Sequence, residues 1–472
     1  MHLTMNGGRY KTLLQNTGLI FIGSFGSKII SFIMLPFYTM WLSVEDYGTS
    51  DIITVYSTVV LAFVSLCIGE AIFVVPSQKN KEQQQGYFTS SLVFSFLCVF
   101  VLCLLFIVVH FCFNGYSGAF VSNIFYICLI TAATLYTTIF QQFCKAINKI
   151  IVYATAGVVQ TLFVALLGFL LIPRYHLDGY IWCILFSNLV TIVFIFFAAK
   201  LHEYVSVRSF SAAKLREMFS YSIPLIPNSV IWLIVSYLNR PLMESTLGLY
   251  AIGIYSLANR FPSLINTVYG NFSNSWQISI LEQHGREGFN SFYNNVLLIS
   301  FCFMSLLVVA LSLLIKPLVY LFLNANYYEA IVYVPILCLS CIYISLASMA
   351  GAIFLAVRKS KYFFYSSIGS AIAAVIFNFL LITKFGIFGA CWACVISYVV
   401  GGVARLYFAN KFNRFCFIRQ ISVLSILTTV MVCVISYLGN YYIGVAISII
   451  IVLYIWYIVI KTNMWSLLKK KR

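Results

Sequence analysis

Residues 169–187 read FLLIPRYHLDGYIWCILFS, and residues 379–397 read FLLITKFGIFGACWACVIS. At a constant offset of 210 positions the two stretches share Phe169/Phe379 and the Leu-Leu-Ile that follows. They also share a base (Arg174/Lys384), an aromatic (Tyr175/Phe385), Gly179/Gly389, Trp182/Trp392 and Ser187/Ser397. A short apolar run repeats easily by chance; a glycine and a tryptophan in step with it do not. The chain reads as a duplication of six helices, with two more appended.

The composition says what solvent those helices meet. Of 472 residues, 62% are apolar or aromatic and only 9% charged, with a mean hydropathy of +0.97. Soluble domains carry about a quarter of their residues charged, so lipid must solvate much of this chain. A hydrocarbon core of about 30 Å needs about 20 helical residues. That window picks out about fourteen spans. Those of the first copy are 13–42, 47–76, 87–113, 118–143, 151–173 and 179–200, and those of the second are 218–240, 248–281, 292–323, 330–357, 362–383 and 387–410; 417–438 and 441–461 follow. The fold class is therefore all-α and polytopic, with two six-helix lobes (1–205 and 206–412) and a segment 413–472 holding two helices and a basic tail. Six spans per copy is even, so both copies enter from the same side and the repeat is parallel. Two such lobes around a wet central chamber is a transporter architecture.

Charge sets the orientation. With a cytoplasmic N-terminus, 23 of the 29 Lys and Arg fall in cytoplasmic segments, among them Lys79, Lys81, Lys214, Lys359, Arg405 and the tail Lys469–Arg472. Arg174 and Lys384 alone fall in outer connectors. This positive-inside bias puts both termini in the cytoplasm. It also disposes of a nucleic-acid reading of the net charge of +17, since the bases lie in short connectors and not on one face. The cysteines sit in apolar runs. Two CxxC spacings, Cys338/Cys341 and Cys391/Cys394, have no histidine near them and read as buried thiols, with no metal or cofactor implied. No HExxH, GxSxG, Walker or GxGxxG pattern occurs, so catalysis is not expected.

Four bases remain inside spans: Lys28, Arg240, Arg260 and Lys316. A charge at the bilayer centre costs about 3 kcal/mol or more. Lys28 and Arg260 lie about 22 and 18 Å into their helices, whereas Arg240 and Lys316 fall near outer ends, where snorkelling suffices. After Ser256 come Asn259, Arg260, Ser263, Asn266, Gly270, Ser273 and Asn274, a small and polar stripe on one helical face. A water-filled cavity accommodates it; hydrogen bonding between packed helices is the alternative. Span two carries Asp51, Thr54, Thr58 and Ser65, with Glu70 near its inner end. Pro36, Pro224, Pro227 and Pro262 are expected to bend the helices that hold them.

The run NTGLIFIGSFGSKIISFIMLPFYTMWLSVEDYGTSD (16–51) resembles the first hairpin of the bacterial polysaccharide (Wzx-type) flippases of the MOP exporter superfamily. YLNRPLMESTLGLYAIGIYSLANR (237–260) resembles their seventh-to-eighth span junction, except that Asn239 stands where similar proteins often have an acid. The resemblance implies movement of undecaprenyl-diphosphate-linked oligosaccharide across the bacterial cytoplasmic membrane by alternating access, for surface polysaccharides such as O-antigen. Lys28, Arg260 and Arg240 then become candidates for the diphosphate, Asn259, Ser263 and Asn266 for sugar hydroxyls, and Asp51 or Glu70 for ion coupling. The lipid-linked oligosaccharide and the bilayer are the expected partners, with a polymerase or other assembly protein beside them. A MATE-like exporter of cations, a lipid II flippase, a membrane enzyme and a non-transporting scaffold are the rivals. A cation exporter calls for deep acids, and the deep charges here are bases.

Overall fold

The computed structural model describes residues 21, 23–77, 79–112, 118–359 and 361–461. Arg9, Lys11 and the tail Lys469–Arg472 lie outside the described residues, as do both termini. Among the described residues the secondary structure is helical, with no strand. Lipid offers no partner for a backbone N–H or C=O, and a helix satisfies both within one segment.

The chain opens with helical residues 23–33 and α1 (Leu35–Trp41), with Pro36 in the first turn of α1. A tight turn follows: Ser43 caps α2 (Val44–Ser65), its hydroxyl accepting from the Asp46 N–H at 3.0 Å. Glu45 and Asp46 lie in that first turn, where negative charge suits the helix dipole. Next come α3 (Ile68–Val74), α4 (Lys81–Cys112), α5 (Ile124–Ala146) and α6 (Ile150–Ala198). Beyond a linker lie α7 (Ala212–Ser222), α8 (Ile226–Tyr237), α9 (Asn239–Gln283), α10 (Phe289–Phe322) and α11 (Val334–Gly351). The chain ends with α12 (Lys361–Ala409), α13 (Ile418–Leu438) and α14 (Tyr441–Lys461).

Ten of the described helices are long and apolar enough to cross a membrane. Three of them fold back at a single residue: α6 at His176, α9 at Gly248 and α12 at Gly386. Divided there, and with residues 23–41 added, they give the expected fourteen spans. The duplication is visible in the backbone. His176 (φ 46°, ψ −119°) and Gly386 (φ 57°, ψ −132°) fall 210 residues apart, the offset of the sequence repeat. Just beyond each fold the repeated glycine is forced by contact: a Cβ on Gly179 would meet the Leu171 carbonyl oxygen at 2.4 Å, and one on Gly389 that of Leu381 at 2.0 Å. The other ends of these helices match too. Asn148 (φ 59°) and Arg358 (φ 52°), again 210 apart, take left-handed conformations, and the next N–H donates to Cys144 O and Phe354 O respectively. Sequence comparison misses this pair, because Asn and Arg share only the backbone they adopt.

Two compact units result, Met1–Val230 and Ile231–Arg472. In the first, α5 packs on α2, α3, α4 and α6. Phe88, Phe143, Ile139 and Cys144 form the centre of one of its cores, with Phe88 and Phe143 stacked at 4.3 Å. In the second, α11 is the central helix: it packs on α9, α10, α12 and α13, and most of it is buried. The appended α13 and α14 pair with each other and with α10.

The linker after α6 is fastened to α4. Lys81 pairs with Glu203 at 2.5 Å, which holds the Glu203 carboxyl below its ordinary pKa and the Lys81 ammonium above its own. Gln85 donates to Glu203 O at 2.6 Å, Ser90 Oγ bonds both backbone groups of Ser211, and Lys214 Nζ donates to Gln83 O. The Tyr87 hydroxyl donates to Glu217. Pro224 lies within a 3-10 turn (Ile223–Leu225) and Pro227 in the first turn of α8. α9 runs through Pro262 with helical dihedrals, broken only at Gly248.

Gly179→Ala and Gly389→Ala are each expected to cost about 1–3 kcal/mol by overpacking, lowering the thermal unfolding temperature in detergent. Gly270→Ala, whose Cβ would meet nothing within 4 Å, is expected to leave that temperature unchanged or raise it slightly.

Candidate functional site

The polar stripe on α9 divides between two environments. Ser256 and Ser273 turn into the second unit and are buried. Ser273 Oγ meets Ser348 Oγ at 2.6 Å, Tyr269 OH donates to Ser345 O, and Trp276 Nε1 donates to Met349 O. These bonds fasten α9 to α11 and fulfil the packing alternative for that part of the stripe. Asn259, Arg260, Ser263, Asn266 and Gly270 are half-buried and Asn274 is exposed, and nothing would crowd a Cβ on Gly270. The helix thus brings Asn259, Arg260 and Ser263 together on one half-buried face, while the Asn266 amide oxygen is turned inward. Ser263 Oγ donates to Arg260 O at 2.6 Å and Thr267 Oγ1 to Ser263 O at 2.8 Å, bonds that satisfy hydroxyls without a second helix. Asn266 Oδ1 is buried with no hydrogen-bond partner among the described residues, leaving an acceptor aimed away from water.

Arg240 sits elsewhere in the second unit and is only 5% exposed. Nη1 donates to Ser236 O at 3.0 Å and to Asn239 Oδ1 at 2.9 Å. Its guanidinium lies 4.8 Å from the centroid of the Tyr255 ring, and Tyr255 OH in turn accepts from Asn239 Nδ2 at 2.7 Å. Asn239, the departure noted at this junction, is therefore part of the cage that holds the arginine. The enclosure fixes the charge within the protein and replaces the snorkelling route.

Lys28, Asp51 and Glu70 belong to the first unit. Residues 23 and 27 face α6 closely: a Cβ on Gly23 would meet Ala154 O at 2.6 Å, and one on Gly157 meets Ser27 Oγ at 3.6 Å. Lys28 lies off that face and is exposed. Asp51 is half-buried on α2, while Glu70 is exposed on α3, about five helical turns further along the chain. The two are not gathered into one site. Between them Leu66 (φ 46°) and Cys67 (φ 56°) take consecutive left-handed conformations, which disfavour non-glycine residues. Cys67 Sγ lies 3.4 Å from Ser229 Oγ, so this strained break is braced against the start of α8.

Two features escape a charge-led reading of the sequence. One is Arg405, counted there among the cytoplasmic bases. The structure buries it to 7% exposure, because three elements converge on its guanidinium. It donates to Ser366 Oγ, Ser367 Oγ and Ala347 O at 3.2–3.3 Å and lies over Phe363 and Trp232. The other is an amide network in the first unit. Asn188 Oδ1 accepts from Thr137 Oγ1 at 3.0 Å and from Gln160 Nε2 at 3.1 Å, while its Nδ2 donates to Ile184 O. Each member interrupts an apolar run, and that is the signal that finds them. The CxxC cysteines carry no metal-ligand group: among the described residues no three His, Cys, Asp or Glu come together as metal ligands.

Arg405→Ala is expected to destabilise the protein by about 3 kcal/mol, seen as a lower unfolding temperature in detergent. Asn259→Ala, on the half-buried face of α9, should stay within about 0.5 kcal/mol.

Comparison with known proteins follows this geometry. The family described as "Polysaccharide biosynthesis protein" matches residues 13–276, more than half of the chain. No curated protein sequence matches at a significant level. Among solved structures, the lipid II flippase MurJ in an inward closed conformation superposes with a TM-score of 0.69 at 18% identity, covering 95% of this chain and 99% of that one. An inward-facing multidrug resistance MATE family transporter of the MOP superfamily gives 0.66 at 17% identity, over 86% and 94%. A MOP superfamily transporter from Pyrococcus furiosus, whose binding pocket is described as reversed in polarity, gives 0.60 at 17% identity, over 85% and 95%. The fold is that of the MOP superfamily, and the chain belongs to the polysaccharide biosynthesis protein family.

Proposed function

We propose that the protein is a flippase that carries polyprenyl-diphosphate-linked oligosaccharide across the bacterial cytoplasmic membrane by alternating access. The observation that supports this most is the sign of its buried charge. Among the described residues the buried charged side chains are Arg240 and Arg405, both in the second unit, and no carboxylate is buried. A fixed cation in a low-dielectric interior repels a cationic drug and attracts a phosphate. Arg260, half-buried on α9, is the base this reading assigns to the ligand, since a guanidinium can make a bidentate contact to a diphosphate. Asn259 and Ser263 beside it serve sugar hydroxyls, whose transfer into hydrocarbon is otherwise costly. In this reading Arg240 sets the field of the second unit, and Lys28, exposed on the first unit, is a candidate of its own for anionic cargo. Both termini are cytoplasmic, Asp51 or Glu70 couples transport to an ion, and the polymer-forming machinery is the downstream partner. Membership of the polysaccharide family favours a glycan cargo over drugs.

Flipping of a fluorescent polyprenyl-diphosphate oligosaccharide in proteoliposomes tests the reading. Arg260→Ala, at normal protein level, is expected to slow it about 10- to 100-fold, the loss of one charge-assisted bidentate contact. An unchanged rate removes Arg260 from the site. Efflux of a cationic dye by the same vesicles, with no flipping, overturns the proposal in favour of a MATE-like exporter.

A further inference from the structure

One end of the second unit carries an ordered patch of bases that the transport reading does not use. Lys359 Nζ lies 5.0 Å from the centroid of the Phe412 ring, Lys361 Nζ 5.5 Å from that of Tyr362, and Lys411 Nζ 5.2 and 5.6 Å from those of Tyr407 and Phe408. The rings are themselves joined: Tyr362 contacts Phe408 at 5.2 Å and Phe412 at 5.4 Å, and Phe354 reaches Tyr362 at 5.7 Å. Three ammonium groups therefore stand on one aromatic platform built from the two ends of α12, the short helix Ile353–Ala356 before it and the turn after it. Arg358 and Arg414 flank them, and all five bases are exposed.

The platform is held rigidly. Asn294 on α10 donates to Arg414 O at 2.9 Å and accepts from Cys416 N at 3.1 Å, while Phe415 N donates to Asn410 Oδ1. The patch is also unneutralised. After Glu329 the sequence contains no Asp or Glu, and among the described residues none of the three lysines pairs with a carboxylate. The acids at the α9–α10 turn, Glu282 and Glu287, belong to other elements. Beside the bases stand exposed apolar and aromatic side chains: Phe364 (39%), Tyr365 (53%), Tyr407 (64%) and Ile418 (55%). A soluble acidic protein needs no such rim. Bases backed by tyrosine and phenylalanine at the end of spanning helices match the level where headgroups meet hydrocarbon.

We propose that Lys359, Lys361 and Lys411, with Arg358 and Arg414, form a docking surface for the phosphate headgroups of an anionic phospholipid leaflet. Each base near such a surface strengthens attraction several-fold, and the effect fades with salt. The inference requires only that the helices span a bilayer, so it stands or falls separately from the cargo.

The test uses the full-length protein in nanodiscs of phosphatidylcholine doped with phosphatidylglycerol, reading the lipids retained by native mass spectrometry. The wild type is expected to enrich phosphatidylglycerol, and K359Q/K361Q/K411Q to lose about tenfold or more of that enrichment. K359R/K361R/K411R should keep it, and Lys384→Gln, an exposed base beside the Gly386 fold in the middle of α12 and far along the chain from the patch, should not alter it. If the triple glutamine variant does not fold, the wild type carries the test, since enrichment must weaken as salt rises. Equal enrichment in the wild type and the glutamine variant, enrichment insensitive to salt, or binding of farnesyl diphosphate without any preference for phosphatidylglycerol each overturns the proposal.

Discussion

A hydrocarbon environment offers a peptide group nothing to bond to, and that constraint governs this protein from end to end. It explains why the described chain is helical and why reversals are made in as few residues as possible. It also explains why side-chain hydroxyls so often bond the carbonyl one turn back. Thr54, Thr58, Ser263 and Thr267 all do so. The three folds within long helices, at His176, Gly248 and Gly386, are the economical form of a connector. Little backbone leaves the helical register, and the two arms press together where a glycine removes the obstacle.

Against that background the fixed charges stand out. Arg240 and Arg405 reach the interior of the second unit with their donors engaged by carbonyls, amides and hydroxyls and their faces covered by aromatic rings. Neutral acceptors compensate part of the desolvation and leave the charge in force. The first unit answers the same problem with the uncharged set Thr137, Gln160 and Asn188. A duplicated scaffold has thus been given two interiors of different electrical character. The functional asymmetry of the molecule resides there, while the backbone repeat is preserved.

Hydropathy and the glycine–tryptophan repeat made the helices, their number and the duplication legible, because each follows from composition and spacing along one segment. The polar face of α9 was legible for the same reason. What sequence could not reveal was which polar residue faces inward, since that depends on neighbours distant in the chain. Arg405 looked like one of many connector bases until Ser366, Ser367 and Ala347 were placed around it. Pro262 looked like a break, yet α9 continues through it, whereas Leu66 and Cys67, ordinary residues in an apolar run, supply a real one. Arg358 and Asn148 show the same limit, being equivalent in dihedral angle and in nothing the side chains reveal.

The linker from Glu203 to Glu217 is bonded along its length to the first turns of α4, and Pro224 and Pro227 follow it. A gene divided at those prolines would yield an amino-terminal product that keeps every one of these bonds, and a carboxy-terminal product that begins at the start of a helix. The fastening thus keeps residues 203–217 with the first unit.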